Sequence, residues 1–375
     1  MRRLTISPLQ FAIMIVAAYL GAGIFQFPRD LVAAAGDNAP YAFLAEVAIA
    51  LFGMWLWFRV NRLDPSKQVG TIAWEMAGPL VAAPLLIFTV VLHLALLVYA
   101  TANFALVMHA FFMNETPYYA LALPIILAAA AVAWHDLPPL ARTLEIIVIP
   151  TMTLSFLMGL LVLPHGTAMY ALEPGTRIFL GSITQATWSG WYIFWGYELT
   201  VTLYPFIRAD RRDQAERFAY IGMLISAGLL AFGYAVTMSA EGPYLLVKSQ
   251  WPAVSSMRII NATSFLVNKL GLFVIVLWGL IVMAFGATRL WCLGHDVLPH
   301  LPKAGLAYYR GALVGFALLA FIWVLAVNSP PKLVHFAQAY MTPAMWIYNF
   351  LMPVLLLGAV WARSLLTRGW SASKT

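Results

Sequence analysis

Long apolar runs separated by short polar segments dominate the pattern along the chain. A run of roughly 20 mostly apolar residues is what an α-helix needs to cross a bilayer. The segments between the runs carry turn residues, for example Gly36-Asp37-Asn38-Ala39-Pro40 and Asn328-Ser329-Pro330-Pro331. The pattern predicts about ten helices, over approximately residues 8–35, 40–60, 79–112, 117–134, 139–163, 183–206, 218–240, 263–288, 306–327 and 336–362.

The composition agrees with a membrane protein. Of the 375 residues, 62% are hydrophobic and 10% are charged, and the mean hydropathy is +0.83. A soluble globular domain has roughly 45–50% apolar and about 25% charged residues. The predicted fold class is therefore an all-α polytopic membrane protein. The first apolar run is too long for the core of a secretory signal, so we expect it to be retained as a helix.

The positive charges are unevenly distributed over the predicted loops. With the N-terminus in the cytoplasm, 16 of the 22 Lys and Arg residues fall on that side, as the positive-inside rule requires. Arg289 is counted among them because the predicted eighth helix ends at residue 288. We therefore expect an integral multi-pass protein with both termini cytoplasmic. The rule also explains the net charge of +7. We therefore predict that the protein lies in a lipid bilayer and does not bind nucleic acid.

Two of the predicted helices are interrupted near their middles. The first contains Gly21 and Gly23 and is followed by Pro28, and the sixth contains Gly190 and Gly196. Glycine costs about 1 kcal/mol relative to alanine inside a helix. In hydrocarbon such breaks persist where the freed backbone groups line a cavity or a bound solute. Broken first and sixth helices among ten indicate a five-plus-five inverted repeat with the solute near the membrane midplane.

The predicted domain organisation follows from this repeat. Residues 1–375 form a single transmembrane domain, in which 1–163 are the first five-helix repeat and 183–362 are the second. Residues 363–375 are predicted to form a cytoplasmic tail.

A small zwitterion, such as an amino acid, fits the chemistry predicted at the two breaks. The N-terminus of a half-helix carries a partial positive charge that attracts a carboxylate. Glu198, in the middle of the sixth span, is suited to an amino group. Tyr99 and Asn103 lie four residues apart, on one face of the third helix. The predicted ligand-binding residues are Gly21, Ala22, Gly23, Ile24, Tyr99, Asn103, Phe194, Trp195, Gly196, Tyr197 and Glu198.

Three acids are candidates for a proton site or a gate: Glu46, Glu145 and Glu198. An acid inside a span is costly unless it is paired, neutralised or hydrated. Glu198 has three open roles, which are binding a solute amine, carrying a proton, and stapling the broken helix to a neighbour by hydrogen bonds. Glu46 has similar options. Glu145 begins the fifth helix beside Arg142, a position that favours an internal gate or a topology signal.

Several classes of function lack support in the residues. Nucleophile motifs, nucleotide loops and metal-ligand spacings are absent, and Gly21-Ala22-Gly23 lacks the third glycine of a dinucleotide-binding turn. The lone Cys292 excludes an internal disulfide. No sodium cage is evident, because Ser264 and Thr288 lie near the ends of the eighth helix. We therefore predict a protein that is not an enzyme and that has no metal or other cofactor.

Several motifs resemble the endospore germination permeases, which are the B subunits of spore germinant receptors and a branch of the amino acid–polyamine–organocation (APC) superfamily. The opening resembles that family in Ile6-Ser7-Pro8-Leu9-Gln10, Gly21-Ala22-Gly23-Ile24 and Ala34-Ala35-Gly36-Asp37. Later segments are similar as well, namely Asn61-Arg62-Leu63-Asp64-Pro65-Ser66-Lys67, Gly196-Tyr197-Glu198, Tyr204-Pro205-Phe206, Trp251-Pro252 and Arg258-Ile259-Ile260. Departures occur at Asn38-Ala39-Pro40-Tyr41 and Asn268-Lys269-Leu270-Gly271.

The resemblance implies a fold, a pocket and partners. It implies the LeuT-like (APC) fold of ten helices, with a germinant pocket between the first, third, sixth and eighth. It also implies an A subunit and a C lipoprotein as partners in the inner spore membrane. The leading hypothesis is a receptor subunit that binds a small nutrient and changes conformation. The alternative is a proton-coupled secondary transporter of amino acids or polyamines. A purely structural scaffold is disfavoured by the two costly breaks and the buried acids.

Overall fold

The computed structural model describes residues 5–257, 270–297 and 305–372. Its helices lie in the predicted order. They are α1a (Pro8–Gly23), α1b (Phe27–Ala35), α2 (Ala39–Asn61), α3 (Pro79–Phe111), α4 (Tyr118–Ala133), α5 (Leu137–Val162), α6a (Leu180–Gly190), α7 (Arg212–Lys248), α8 (Leu270–Val297) and α9 (Leu306–Ala326). The short turns of residues 197–206 form α6b, and α10 covers residues 330–372 with π-helical turns at Phe336–Met341 and Ile347–Leu351.

The described segments confirm an all-α, polytopic membrane protein. Seven of the helical segments that the structure describes are long and apolar enough to cross a bilayer, and two shorter apolar helices begin at Pro8 and Tyr118. Large apolar side chains on the outside, such as Ile146, Leu318 and Ile322, are exposed. Lipid chains cover such surfaces in a membrane protein.

Three helices extend beyond their predicted ends. Helix α7 continues to Lys248 through a kink at Gly242, where φ is 67° and Pro243 follows. Helix α10 begins at residue 330 and its last segment reaches Ala372. Helix α8 continues to Val297 and therefore contains Arg289, which is buried. The assignment of Arg289 to a loop was wrong because the helix accommodates this charge inside the bundle. Ser264, Asn268, Lys269 and the segment 258–260 lie outside the described residues.

Helix 1 is broken one turn later than its glycines predict. Gly21 and Gly23 are still part of α1a, and the interruption covers Ile24, Phe25 and Gln26. Helix 6 ends its first half at Gly190, continues as a 3-10 turn to Phe194, and leaves helical geometry at Trp195 and Gly196. Both breaks lie next to one another, because α1a packs against the 3-10 turn of helix 6.

The centre of the bundle is formed by α1a and α8. Helix α1a packs against α7, α8 and α5, and α8 packs against α4, α3 and α5. A helix that is apolar all round belongs in the interior, and most of the side chains of α1a are buried. The largest fully buried side chains include Trp57, Trp195, Trp291 and Arg289.

Candidate functional site

A polar cavity of about 390 Å³ lies where α1b, α3, helix 6 and α10 meet. It sits beyond the break of helix 1, on the side away from the N-terminus. Half-helix ends supply part of its wall, as expected for a solute site in this kind of bundle. The polar side chains that line it are Gln26, Arg29, Asp30, Tyr99, Gln185, Ser189, Tyr192, Gln338 and Thr342.

Adjacent opposite charges form the wall on the α1b side. Arg29 donates from Nε to Oδ1 of Asp30 at 2.8 Å and from Nη2 to the same oxygen at 2.5 Å. The Tyr192 hydroxyl donates to Oδ2 of Asp30 at 2.9 Å, and Nη1 of Arg29 donates to Oε1 of Gln250 at 2.5 Å. The two charged side chains keep 14% and 19% of their surface exposed. The cavity therefore presents both a cation and an anion that water or a solute can reach.

Gln26 connects the break of helix 1 to α3. Its Nε2 donates to the hydroxyl of Tyr99, and its Oε1 is buried without a partner among the described side chains. A buried acceptor without a donor is unfavourable. Since Gln26 lines the cavity, its free oxygen is available to a donor on a bound solute.

The predicted glycines act as points of close helix contact. A Cβ added to Gly21 would lie 2.8 Å from Cβ of Phe285 on α8, and one added to Gly23 would collide with the ring of Tyr192. A Cβ on Gly196 would lie 2.7 Å from Cβ of Ala18. These distances are too short for real side chains, so glycine lets the helices approach. Ala22 belongs to α1a, but its side chain lies outside the described part.

Ile24 faces a different, apolar cavity. This space of about 100 Å³ lies between helix 1, α5, α7 and α8, with Leu20, Phe25 and Trp278 among its lining residues. Ile24 is therefore placed at the break as predicted, yet its side chain is away from the polar cavity.

The two predicted residues of α3 are placed differently. Tyr99 reaches the polar cavity and holds Gln26. Asn103, one turn later, is buried and accepts a hydrogen bond of 2.9 Å from the indole of Trp251. That contact ties α3 to the short helix Pro252–Ser256, whose Ala253 amide donates to the carbonyl of Phe25 at 3.4 Å.

The predicted aromatic residues of helix 6 form a packed layer next to the cavity. The ring of Phe194 packs edge-on to Tyr19 at 6.1 Å between centroids. Trp195 lies 6.4 Å from Tyr99 and 5.9 Å from Tyr192. The Tyr197 hydroxyl lies against Gly53 of α2. Phe194, Trp195 and Tyr197 are fully buried, and none of them is among the cavity's lining residues.

Glu198 forms an ion pair with Arg289 inside the bundle. Nη2 of Arg289 lies 2.5 Å from Oε1 of Glu198, and both side chains have zero exposure. The guanidinium also sits over the ring of Phe285, with 4.7 Å to the centroid. Glu198 therefore already has a cation of its own chain. The pair joins α6b to α8.

A second buried polar cluster lies further along the same helices. The Thr202 hydroxyl donates to Oδ1 of Asp296 at 2.6 Å, and Oδ2 of Asp296 is 3.7 Å from Nδ1 of His93. The cluster joins α6b, α8 and α3. The sequence analysis missed Asp296 because the predicted eighth helix stopped at residue 288.

The other two acids have contrasting surroundings. Glu46 on α2 is fully buried, and neither of its carboxylate oxygens has a hydrogen-bond partner among the described residues. Glu145 on α5 is partly buried and accepts a hydrogen bond of 3.3 Å from Nε2 of Gln10. Gln10 also completes a capping box with Ser7 at the start of α1a. Glu145 thus holds the start of helix 1.

The face that carries the N-terminus is closed by contacts between helices. The Ile6 amide donates to the Phe206 carbonyl at 3.0 Å, forming a backbone bridge between the chain start and the end of helix 6. Arg62 donates to Glu216 at 2.6 and 3.0 Å, and the Tyr204 hydroxyl donates to Glu216 at 2.6 Å. The hydrogen bond to Glu216 raises the pKa of Arg62 above its ordinary value. The polar cavity lies on the opposite side of these contacts.

Three residues that line the cavity, Gln26, Arg29 and Asp30, are not among the ligand-binding residues predicted from the sequence. The charge pattern alone identifies Arg29 only as a residue on the side of the membrane opposite the cytoplasm. The available signal was a pair of adjacent opposite charges inside the predicted helix 8–35, directly after a break. Among the residues that the structure describes, no three His, Cys, Asp or Glu side chains are grouped to hold a metal ion.

Solved structures with a similar fold are transporters. Two mutants of the manganese transporter of Eremococcus coleocola match 94% of this chain and 78% of theirs, with 12% identity and TM-scores of 0.56 and 0.57. At this identity the likeness concerns the fold alone. It supports the LeuT-like (APC) architecture with its five-plus-five inverted repeat.

Sequence relatives indicate the family. The chain is 24% identical over 265 residues to the putative spore germination protein YfkT of Bacillus subtilis (strain 168), which covers 70% of this chain and 71% of YfkT. It is 24% identical over 273 residues to spore germination protein KB of the same organism, covering 71% of each. Residues 5–294 match the spore germination protein family, which is a family of membrane proteins and not of enzymes. The chain therefore belongs to the spore germination protein family.

Proposed function

We propose that this protein is the membrane subunit of a spore germinant receptor and that it binds a small nutrient, an amino acid, in the polar cavity beside the broken helices. The observation that carries the proposal is the reachable Arg29–Asp30 pair on the cavity wall. The sequence relatives, which are spore germination proteins, support the biological role.

An amino acid complements this cavity chemically. Its carboxylate fits the Arg29 guanidinium, since charge-assisted hydrogen bonds to arginine are strong and directional. Its ammonium group fits the Asp30 carboxylate and the free oxygen of Gln26. Both partners are held in place, Asp30 by Tyr192 and Gln26 by Tyr99. When a solute binds, its charged groups replace the contact between Arg29 and Asp30. These new contacts offset the free-energy cost of separating the pair.

The receptor role requires the nutrient to favour one conformation of the bundle. We propose that occupation of the cavity shifts α1b and α6a, and that this change passes to an A subunit and a C lipoprotein. The proposed location is the inner spore membrane, with both termini in the cytoplasm, so that the cavity opens on the opposite face. The distribution of Lys and Arg supports this orientation.

A thermal-shift screen of the purified full-length protein tests the binding proposal. A selective amino acid raises the unfolding temperature by mass action. We expect the shift to disappear in Asp30→Asn and to persist in Glu145→Gln, a matched acid that lies away from the cavity. The same shift in wild type and Asp30→Asn would contradict this placement of the site.

The second candidate is a proton-coupled secondary transporter of amino acids or polyamines. Its support is the fold shared with transporters and the buried acid Glu46, which has no partner among the described residues. Uptake of a labelled solute into proteoliposomes, abolished when the pH gradient is collapsed, would favour transport. Measurable binding without uptake would favour the receptor.

A further inference from the structure

Glu46 is an acidic residue whose side chain is fully buried in the membrane-spanning part of the bundle. It lies in the middle of α2, has zero exposure, and both of its oxygens lack a hydrogen-bond partner among the described side chains. The other acids buried inside the bundle have a partner, Glu198 with Arg289 and Asp296 with Thr202. Neither of these contacts involves Glu46.

The carboxyl group of Glu46 touches the end of α6a. A Cβ added to Gly190 would collide with Oε1 of Glu46 and would lie 3.4 Å from its Cδ. Gly190 is the last residue of α6a before helix 6 unwinds. The acid therefore occupies the hinge of the broken helix, in the space that a side chain at Gly190 would take.

Among the described residues, no cation forms an ion pair with Glu46, and neither of its oxygens has a hydrogen-bond partner. The charge near it is that of another acid, Asp30 of α1b, whose own partners are Arg29 and Tyr192. Several titratable groups on other elements that pack against α2 also have contacts of their own, namely Tyr197 with Gly53, Glu198 with Arg289, Tyr348 with Thr89 and Glu216 with Arg62.

We propose that Glu46 is a proton-binding site and that its proton holds α6a against α2. Addition of one proton to the carboxylate gives a neutral carboxylic acid, which is less costly to bury than the ion. Loss of the proton leaves an ion with neither a cation nor a donor among the described residues, and membrane interiors disfavour such an ion strongly. The buried ion becomes less unfavourable only if water enters the space around Glu46 or if α6a moves away from α2.

Glu46 and the polar cavity are connected through α6a. Helix α6a carries Gln185 and Ser189, which line the cavity. Movement of its end at Gly190 changes that wall. Protonation of Glu46 is thus coupled to cavity shape, whether or not the cavity accepts an amino acid, so this inference does not rest on the identity of the nutrient.

Infrared difference spectroscopy of the full-length protein tests the proton directly. We expect a carbonyl band of a buried protonated carboxylic acid at neutral pH that is lost in Glu46→Gln. Glu145→Gln, the matched control acid, should keep the band. Glu46→Asp keeps a titratable group and should shift the band, so it serves as the test if Glu46→Gln does not fold. Identical spectra for the wild type and both Glu46 variants would overturn the proposal.

Cysteine accessibility tests the coupling to α6a. Gln185→Cys is introduced into a Cys292→Ala background, and Ser66→Cys in the same background is the reference for the intrinsic pH dependence of labelling. We expect the ratio of the two labelling rates to rise severalfold with increasing pH, and to stay constant when Glu46→Gln is added. A ratio that is independent of pH in the presence of Glu46, or one that changes equally with Glu46→Gln, would overturn the coupling.

Discussion

Two acid–arginine pairs in the same bundle differ in burial, and this difference distinguishes the proposed binding site from a contact inside the protein. Arg29 and Asp30 are adjacent in the chain, keep 14% and 19% exposure, and lie on the wall of a polar cavity. Arg289 and Glu198 come from α8 and α6b and have no exposure at all. A solute can reach the first pair without opening the bundle, but it cannot reach the second.

The physical lesson concerns what each pair contributes. A partly exposed pair adds little stability, since water competes for both partners. A fully buried pair cannot lose one partner without leaving a charge in low dielectric, which is costly. Substitution at Arg29–Asp30 should therefore cost less stability than substitution at Glu198–Arg289.

The largest expected effect is at the buried pair. Arg289→Met leaves Glu198 without its cation, and we expect a loss of about 3–5 kcal/mol in the free energy of unfolding. Denaturant unfolding in detergent micelles measures it. Combining Arg289→Met with Glu198→Gln should recover part of the loss, because no charge then remains. If the losses of the two single variants simply add, the residues are not coupled.

A smaller effect is expected at the hinge glycine. In Gly190→Ala the added methyl group collides with Oε1 at the end of the Glu46 side chain, which must shift, and we expect a destabilisation of about 1 kcal/mol, at the low end for overpacking. Gly181→Ala on the same helix is the matched control, because a Cβ there meets nothing within 4 Å. Adding Glu46→Ala should relieve the clash. Equal thermal stability of the two alanine variants would show that the hinge is not tightly packed.

At the partly exposed pair Arg29–Asp30 we expect a small loss of stability and a large loss of binding. We expect Asp30→Asn to cost less stability than either change above, because asparagine keeps an acceptor for Tyr192 and the pair keeps part of its surface exposed. The same change should weaken amino acid binding at least about tenfold, because a hydrogen bond to a charged group contributes about 1.5–3 kcal/mol. Calorimetric titration and thermal unfolding of one sample give both values. A large stability loss with unchanged affinity would contradict the proposed binding site.

The smallest effect is expected in the loop after α2. Hydrogen bonds from Ser66 and then Lys67 lower the pKa of Asp64, so its contribution to stability is present above the ordinary pKa of an aspartate. The contribution is lost as the pH falls through the lowered value. Asp64→Asn should therefore leave the unfolding temperature almost unchanged at neutral pH and remove a slight acid sensitivity. A marked loss at neutral pH would show that this loop is not simply solvated.

Local pattern predicted most of the fold because bilayer crossing is a local requirement. Each span must be long and apolar, and each connection must turn, so helices such as α3 and α9 follow from their own residues. The ends were less predictable where a charge is accommodated inside the bundle. Arg289 ends the apolar run of α8, yet Glu198 neutralises it within the helix.

The predicted site residues remain a prediction, and the structure explains why they are dispersed. Gly21, Gly23 and Gly196 are where the backbone must approach a neighbour, and breaks in a sequence do not distinguish close packing from ligand contact. Tyr99 faces the cavity, while Asn103 on the same helix face is taken by Trp251. The helical periodicity places both residues on one face of α3, but it does not specify which residues of other segments contact that face.

The class of protein, the ten-helix order, the broken first and sixth helices and the family can be predicted from the sequence. These properties depend on hydrophobic length, turn chemistry and motifs, all of which are read along the chain. Which charges meet depends on how the helices pack. Arg29 and Asp30 are neighbours in sequence, but their exposure depends on α3, α6a and α10. Glu198 and Arg289 are 91 positions apart, and Glu46 lacks a described partner because of how α6a packs over it. Such pairings arise from packing between distant segments, which local pattern does not encode.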